Sequence, residues 1–139
     1  MYLLDTNVLS ELRKGERCDA KVRAWAKSTV KDRHCISVLS LGEIRKGIEI
    51  LRRKAPDQCP AFETWLTRLQ TDYDQDILPL TAEISDRWGR MGATMTQQLP
   101  VIDGLIAATA QEFGLTVVTR NAVDFDREGV GVSVVNPFE

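Results

Sequence analysis

Short apolar runs alternate along this chain with longer segments in which apolar residues recur every three or four positions. The apolar runs predict five strands, at residues 2–4, 35–38, 77–80, 116–119 and 132–135. The longer segments have the period of an amphipathic helix, which turns one apolar face toward a core. Strands that alternate with helices are typical of an α/β fold with a mostly parallel sheet. We therefore expect a three-layer α/β/α sandwich.

Four stripes of helical spacing carry most of the large apolar side chains. They run from Leu41 to Leu51, from Phe62 to Tyr73, from Ile84 to Met95 and from Ile102 to Phe113. Gly114 follows the last stripe and predicts the end of that helix. A weaker helix is indicated at residues 19–30. Because the aromatic and methionine residues keep the helical period, we interpret them as core positions rather than as a cofactor site.

The length and composition suit one globular domain, which we expect to extend over residues 1–139. Breaks at residues 14–16, 55–57 and 98–100 separate the elements, and no repeat or linker is visible. The apolar content of 43% and charged content of 27% are ordinary for a soluble protein. No apolar run reaches the roughly 18 residues of a membrane span, and no export signal is recognisable. We expect a cytoplasmic protein.

The cysteines and the histidine exclude several kinds of site. Cys18, Cys35 and Cys59 are widely separated, which argues against a disulfide framework and against a cysteine zinc site. We expect them to be ordinary thiols in a reducing compartment. His34 is the only histidine, so neither a histidine pair for metal binding nor a recognisable Ser–His pair is available. A structural role at the entrance of a strand is expected for it.

The net charge of −2 conceals an uneven distribution. Residues 1–70 hold 14 Lys and Arg against 9 Asp and Glu, whereas residues 71–139 hold 4 against 11. A basic half could contact a polyanion while an acidic half supplies metal ligands. Solvated helix faces explain the same asymmetry, so charge alone does not establish nucleic-acid binding.

Four acidic residues each lie where a short apolar strand is expected to give way to a helix or loop. They are Asp5, Glu43, Asp103 and Asp124. In an open parallel sheet the carboxyl ends of the strands form the ligand-binding edge, so these carboxylates should converge there. Convergent carboxylates repel one another, and a hard divalent cation such as Mg²⁺ or Mn²⁺ relieves that repulsion. The pattern predicts metal-assisted phosphoryl chemistry.

Helix capping is the competing explanation for the first two positions. Asp5, Thr6 and Asn7 are all favoured capping residues, but a helix needs only one of them. We expect Asp5 to be a ligand, with Thr6 and Asn7 near a bound phosphate. Ser40 to Glu43 has the spacing of a capping box, in which the glutamate reaches back to the Ser40 N–H. Both roles remain open for Glu43.

The later acidic residues also have alternatives. Asp103 lies in the first turn of an apolar helix, where a carboxylate complements the helix dipole, but at a buried helix end it needs partners. Asp124 and Asp126 compete for the fourth ligand position, and turn chemistry explains either one. Thr119 and Asn121 could orient ligands or water around the site.

The motifs that carry these residues resemble a known family. They are Leu-Leu-Asp-Thr-Asn-Val at 3–8, Gly-Glu-Ile-Arg-Lys-Gly at 42–47, Ile-Asp-Gly-Leu-Ile-Ala-Ala at 102–108 and Thr-Arg-Asn-Ala-Val-Asp-Phe at 119–125. Together they resemble the PIN-domain ribonucleases over essentially the whole chain. The resemblance is strongest to VapC-type toxins of type II toxin–antitoxin systems, in their FitB-like branch. Gly104 stands where other small or polar residues are frequent in that family.

The resemblance implies that Asp5, Glu43, Asp103 and Asp124 form an acidic quartet that binds Mg²⁺, with Mn²⁺ as a possible substitute. It implies an endoribonuclease that hydrolyses RNA phosphodiester bonds with metal-activated water and leaves 5′-phosphate and 3′-hydroxyl ends. It also implies a cognate antitoxin, a homodimer and a larger toxin–antitoxin complex. Basic residues that could contact the RNA backbone are Arg13, Lys14, Arg45, Lys46 and Arg120.

The residues also bear on three other functions. A haloacid-dehalogenase-type phosphatase needs a second aspartate two residues after Asp5, where this chain has Asn7. That phosphatase and a receiver-type phosphoacceptor both need a late lysine, and no lysine follows Lys54. The remaining alternative is a catalytically silent PIN-like module that binds RNA or a partner, which would be expected to lack some of the four carboxylates.

Overall fold

Five short parallel strands form the centre of the molecule, as a computed structural model of residues 1–139 shows. The strands are β1 (Tyr2–Leu4), β2 (His34–Ser37), β3 (Ile77–Leu78), β4 (Thr116–Val118) and β5 (Val134–Val135). Their order in the sheet is β3-β2-β1-β4-β5, and every neighbouring pair is parallel. This confirms the predicted fold class. Each strand is shorter than or shifted from the apolar run that predicted it, except β1.

Seven α-helices surround the sheet. They are α1 (Thr6–Leu12), α2 (Ala20–Ser28), α3 (Val38–Lys54), α4 (Cys59–Asp72), α5 (Ala82–Thr94), α6 (Val101–Phe113) and α7 (Ala122–Phe125). The four predicted stripes correspond to α3, α4, α5 and α6, and the weaker helix corresponds to α2. Gly114 ends α6 with φ of 65°, a left-handed conformation that favours glycine. No helix combines the length and apolar character that a bilayer crossing requires.

Successive side chains of the strands point alternately into two apolar clusters on opposite faces of the sheet. Leu3 and Val117 belong to the cluster beneath α5 and α6, while Leu4 and Val118 belong to the cluster beneath α1, α3 and α4. All four residues are fully buried. Because successive strand residues point to opposite faces, one strand pair supplies both cores. The result is the three-layer arrangement.

The sheet order creates a switch point between β1 and β4. From β1 the chain builds outward through β2 to β3, and then returns to the other side of β1 to build β4 and β5. Tyr2 pairs with His34 on one side and with Thr116 on the other. Ligands in open α/β sheets bind outside the carboxyl ends of the strands at such a point. The residues that follow β1 and β4 are therefore where a functional site is expected.

The cysteines and the histidine occupy structural positions. Cys18, Cys35 and Cys59 are all buried free thiols. His34 opens β2, and its ring stacks on Trp25 with centroids 5.3 Å apart, while Tyr2 meets both rings edge-on. Burial lowers the pKa of His34, so its neutral form is favoured within this aromatic cluster.

Candidate functional site

Asp5 is the buried centre of the site at the switch point. It is 6% exposed and follows β1 directly. One carboxylate oxygen accepts the Thr6 N–H at 2.8 Å, and the other accepts the Thr119 hydroxyl at 2.8 Å. Asp5 therefore caps α1 and also contacts the residue after β4. Burial raises the pKa of Asp5, and the bonds from Thr119 and Thr6 oppose that rise.

Thr119 and Asn7 join the ends of β1 and β4. The buried Thr119 hydroxyl donates to Asp5 and accepts the Asn121 N–H at 3.1 Å. The Asn7 amide lies 3.3 Å from the same hydroxyl, and its carbonyl oxygen accepts the Arg120 N–H at 3.1 Å. These bonds cross the switch point and hold the orientation of Asp5. Asn121 takes part through its backbone alone.

Glu43 enters the site from α3, and the capping-box interpretation of it was wrong. The helix begins three residues earlier than that pattern requires, because Ser37 ends β2 and accepts the Leu39 N–H at 3.0 Å as the N-cap. Glu43 therefore lies in the second turn, beyond reach of the Ser40 N–H. Its carboxylate instead accepts the Thr6 hydroxyl at 2.7 Å. This bond joins α3 to the start of α1.

Ser40 is left with a buried hydroxyl that has no hydrogen-bond partner in the protein. It is fully buried and lies one helical turn before Glu43, on the same side of α3. Buried polar atoms are almost always paired, with protein or with a bound molecule such as water. This hydroxyl is the one buried side-chain oxygen or nitrogen of the chain that lacks a protein partner.

The pKa of Asp103 is raised by burial and by the negative charges of the other three candidate residues. It lies in the first turn of α6 and is half-buried. The expected strand before it is absent, because Val101 and Ile102 already belong to this helix. Burial, followed by the negative charges of Asp5, Glu43 and Asp124, raises the pKa of Asp103 to about 6. The other three candidate carboxylates thus lie within electrostatic reach of Asp103.

Asp124, and not Asp126, is among the charges that act on Asp103. Asp124 lies in α7 and acts on Asp103. Asp126 follows α7, is exposed, and lines a different surface groove together with Val132 and Asn136. The α7 helix separates the two side chains because residues two apart lie on opposite sides of a helical turn.

Three of the four acidic side chains bond to a neutral or basic partner, and Asp103 has none. Asp5 is bonded to Thr119, Glu43 to Thr6, and Asp124 to Arg127 with a separation of 2.8 Å. As they stand, no three acidic, histidine or cysteine side chains are grouped closely enough to hold a metal ion.

The basic residues proposed as RNA contacts are mostly engaged elsewhere. Arg45 forms a bidentate ion pair with Glu63 on the outer surface of α3 and α4. Arg120 lies 3.9 Å from the centre of the Phe138 ring, and Lys14 pairs with Glu11 at 3.1 Å. Arg13 lies 4.3 Å from the centre of the Phe62 ring. Lys46 has no ion-pair partner and lines a surface groove together with Glu43.

Comparisons with known proteins find relatives over essentially the whole chain. The PIN domain family model matches residues 2–129. A VapC ribonuclease of Sinorhizobium fredii is 32% identical over 100% of this chain and 99% of its own length. Toxin FitB of Neisseria gonorrhoeae is 30% identical over 99% of both chains. The crystal structure of FitAcB from Neisseria gonorrhoeae superposes with a TM-score of 0.81, at 28% identity and 99% coverage of both chains.

Proposed function

Because this chain belongs to the PIN-domain family, and within it to the VapC-type toxins, we propose that it is a metal-dependent endoribonuclease, the toxin of a toxin–antitoxin pair. The observation that carries the proposal is the group of Asp5, Glu43, Asp103 and Asp124 at the switch point of the sheet. Burial and the three other charges raise the pKa of Asp103 to about 6. Such a concentration of negative charge is suited to cation binding.

The residues present fit a hard divalent cation, for which Mg²⁺ is the proposed ion and Mn²⁺ a substitute. Asp5, Glu43, Asp103 and Asp124 are the carboxylates available to hold it, since carboxylate oxygens are the ligands these ions prefer. The partnerless Ser40 hydroxyl lies one turn before Glu43 and could bond to water at the site. When bound, the ion would supply a water nucleophile active near neutral pH and offset charge on the leaving oxygen.

The protein groups have separate tasks in this proposal. Thr119 holds the buried Asp5 in one orientation, and Thr6 holds Glu43. Thr6 and Asn7 lie at the N-terminus of α1, whose backbone dipole favours an RNA phosphate. The one histidine is stacked on Trp25 and lies at the opposite end of β2 from the carboxylates. We therefore assign no proton transfer to it.

The proposed partners follow from the relatives. We infer that a cognate antitoxin binds this chain and blocks the acidic site, that the chain forms a homodimer, and that both enter a larger toxin–antitoxin complex. RNA and the antitoxin would be met in the cytoplasm. The exposed apolar side chains Val38, Ile50 and Leu80 line one groove and provide a surface that could be covered by a protein partner.

The test is cleavage of total cellular RNA by the purified protein without antitoxin. Cuts at discrete positions are expected with Mg²⁺ or Mn²⁺, none with EDTA, and none with Asp103→Asn. Asp126→Asn is the matched control, because Asp126 is an exposed aspartate in the same part of the chain and should leave cleavage unchanged. If folded protein cuts no RNA under any of these conditions, a silent binding module replaces the nuclease proposal.

A further inference from the structure

Arg127 is a basic residue inside the acidic site, and none of the sequence motifs includes it. Its guanidinium lies 2.8 Å from an Asp124 carboxylate oxygen, and a second nitrogen donates to the Gln98 carbonyl oxygen at 3.3 Å. The Arg127 side chain is 27% exposed. It therefore joins α7 to the loop that precedes α6, at the edge of the site.

The position of Arg127 is distinctive among the basic residues of the chain. No other lysine or arginine forms an ion pair with Asp5, Glu43, Asp103 or Asp124. The positive charge of Arg127 also reaches Asp103 and opposes the rise in the pKa of that carboxyl. The Arg127 guanidinium is thus the one positively charged side chain that pairs with this group of four carboxylates.

The charges at the site limit how many divalent ions it can hold. Asp5, Glu43 and Asp103 have no cationic partner, whereas Asp124 is paired with Arg127. A second divalent ion that used Asp124 would have to break this ion pair and would lie beside a positive guanidinium. Positive charges a few ångströms apart repel strongly when water is partly excluded.

We propose that Arg127 takes the place of a second divalent cation, so that the free site binds one ion, through Asp5, Glu43 and Asp103, while Asp124 stays paired with Arg127. The inference rests on the proposed function, because it assumes that the carboxylates bind a divalent ion. Arg127 acts through Asp124 and is a positioning residue. Its effect should be visible in metal binding itself, without any RNA present.

The experiment is calorimetric titration of the purified, antitoxin-free protein with Mn²⁺. The wild-type protein should bind one ion per chain, and Arg127→Gln should bind two, the second within about tenfold of the affinity of the first. Arg127→Lys keeps the positive charge and should still bind one. Arg90→Gln is the matched control, because Arg90 is 81% exposed, pairs with Asp86 on α5 and should leave the stoichiometry at one.

The possible results separate this inference from the proposed function. Two ions bound by the wild-type protein would overturn the inference whether or not the variants fold. One ion in both the wild-type protein and folded Arg127→Gln would also overturn it, yet would leave a metal site in place. If no ion binds in an Asp103-dependent manner, the proposed function fails, and the inference fails with it.

Discussion

Replacing Asp103 by asparagine should stabilise the metal-free protein at neutral pH while abolishing RNA cleavage. Burial and the charges of Asp5, Glu43 and Asp124 oppose ionisation of Asp103 in the folded state. Asparagine has nearly the same shape and no charge, and the Asp103 carboxylate makes no hydrogen bond that the change would remove. A carboxylate that serves cation binding should therefore lower the free energy of unfolding when the cation is absent.

The magnitude follows from the pKa of Asp103, which rises from 3.8 to about 6 on folding. That difference corresponds to about 3 kcal/mol of lost stability once the carboxyl is ionised in both states. Because Asp103 is only half-buried, solvent screening reduces the expected penalty to about 1 kcal/mol. The penalty is absent below pH 3.8, grows as the pH rises toward 6, and is complete above it, since a raised acid pKa favours the protonated folded state.

Thermal unfolding in EDTA measures this effect. At pH 7.5 the Asp103→Asn variant should melt about 3–4 °C above the wild-type protein, and at pH 3.5 the two should coincide. With Mg²⁺ present, the wild-type protein should instead melt above the Asp103→Asn variant. At 100 times its dissociation constant the ion stabilises the wild-type protein by about 2.7 kcal/mol and the variant far less.

Asp126→Asn provides the comparison, because Asp126 is exposed and lies apart from the other carboxylates. This variant should melt with the wild-type protein in EDTA and in Mg²⁺. A metal-free Asp103→Asn protein that is less stable than wild type at pH 7.5 would refute the electrostatic argument. Equal stabilisation of all three proteins by Mg²⁺ would refute the assignment of Asp103 as a ligand.

Three further predictions concern the supports of the site and the core. Thr119→Val removes the hydroxyl that donates to Asp5 and should lower the free energy of unfolding by about 1–3 kcal/mol in urea, whereas Thr119→Ser should lose less. Equal losses would contradict a role for the hydroxyl. Gly104→Ala would place a Cβ 2.9 Å from the Trp88 indole nitrogen and should destabilise by about 1–2 kcal/mol. In the control, Gly89→Ala, the added Cβ points into open space. This variant should have a free energy of unfolding up to about 1 kcal/mol higher, because alanine has the greater helix propensity. Ellman's reagent should leave all three cysteines unmodified in the native protein and modify them after denaturation, because each thiol is buried. Rapid modification of a native thiol would contradict the packing of that side chain.

The elements of this fold were predictable because their signals are local. The stripes that correspond to α3, α4, α5 and α6 repeat with the helical period, and Gly114 has the conformational freedom that a helix end requires. The error at Ser40 has a local cause as well. Two serines three residues apart could each cap α3, and the end of β2 at Ser37 decided between them.

The candidate site was only partly predictable. Asp5, Glu43 and Asp124 could be expected at one edge because each comes after a parallel strand, whatever the order of the strands. Asp103 lies in α6, which follows α5 and a loop rather than a strand. The choice between Asp124 and Asp126 depended on how α7 is turned, and the turn sequence suits either residue. Asn121 illustrates the same difficulty, since its backbone rather than its side chain contacts Thr119.

By itself, the sequence determined the alternation of strands and helices, the apolar faces and the residues that can carry charge, because these depend on neighbours a few positions away. The tertiary structure decided the strand order, the bond from Thr119 to Asp5 across 114 positions and the placement of Arg127 beside Asp124. Such contacts arise when the helices close over the two faces of the sheet. Distance, burial and the charge of neighbours are properties of that packing. They set the pKa of Asp103 and the pairing of Asp124 with Arg127.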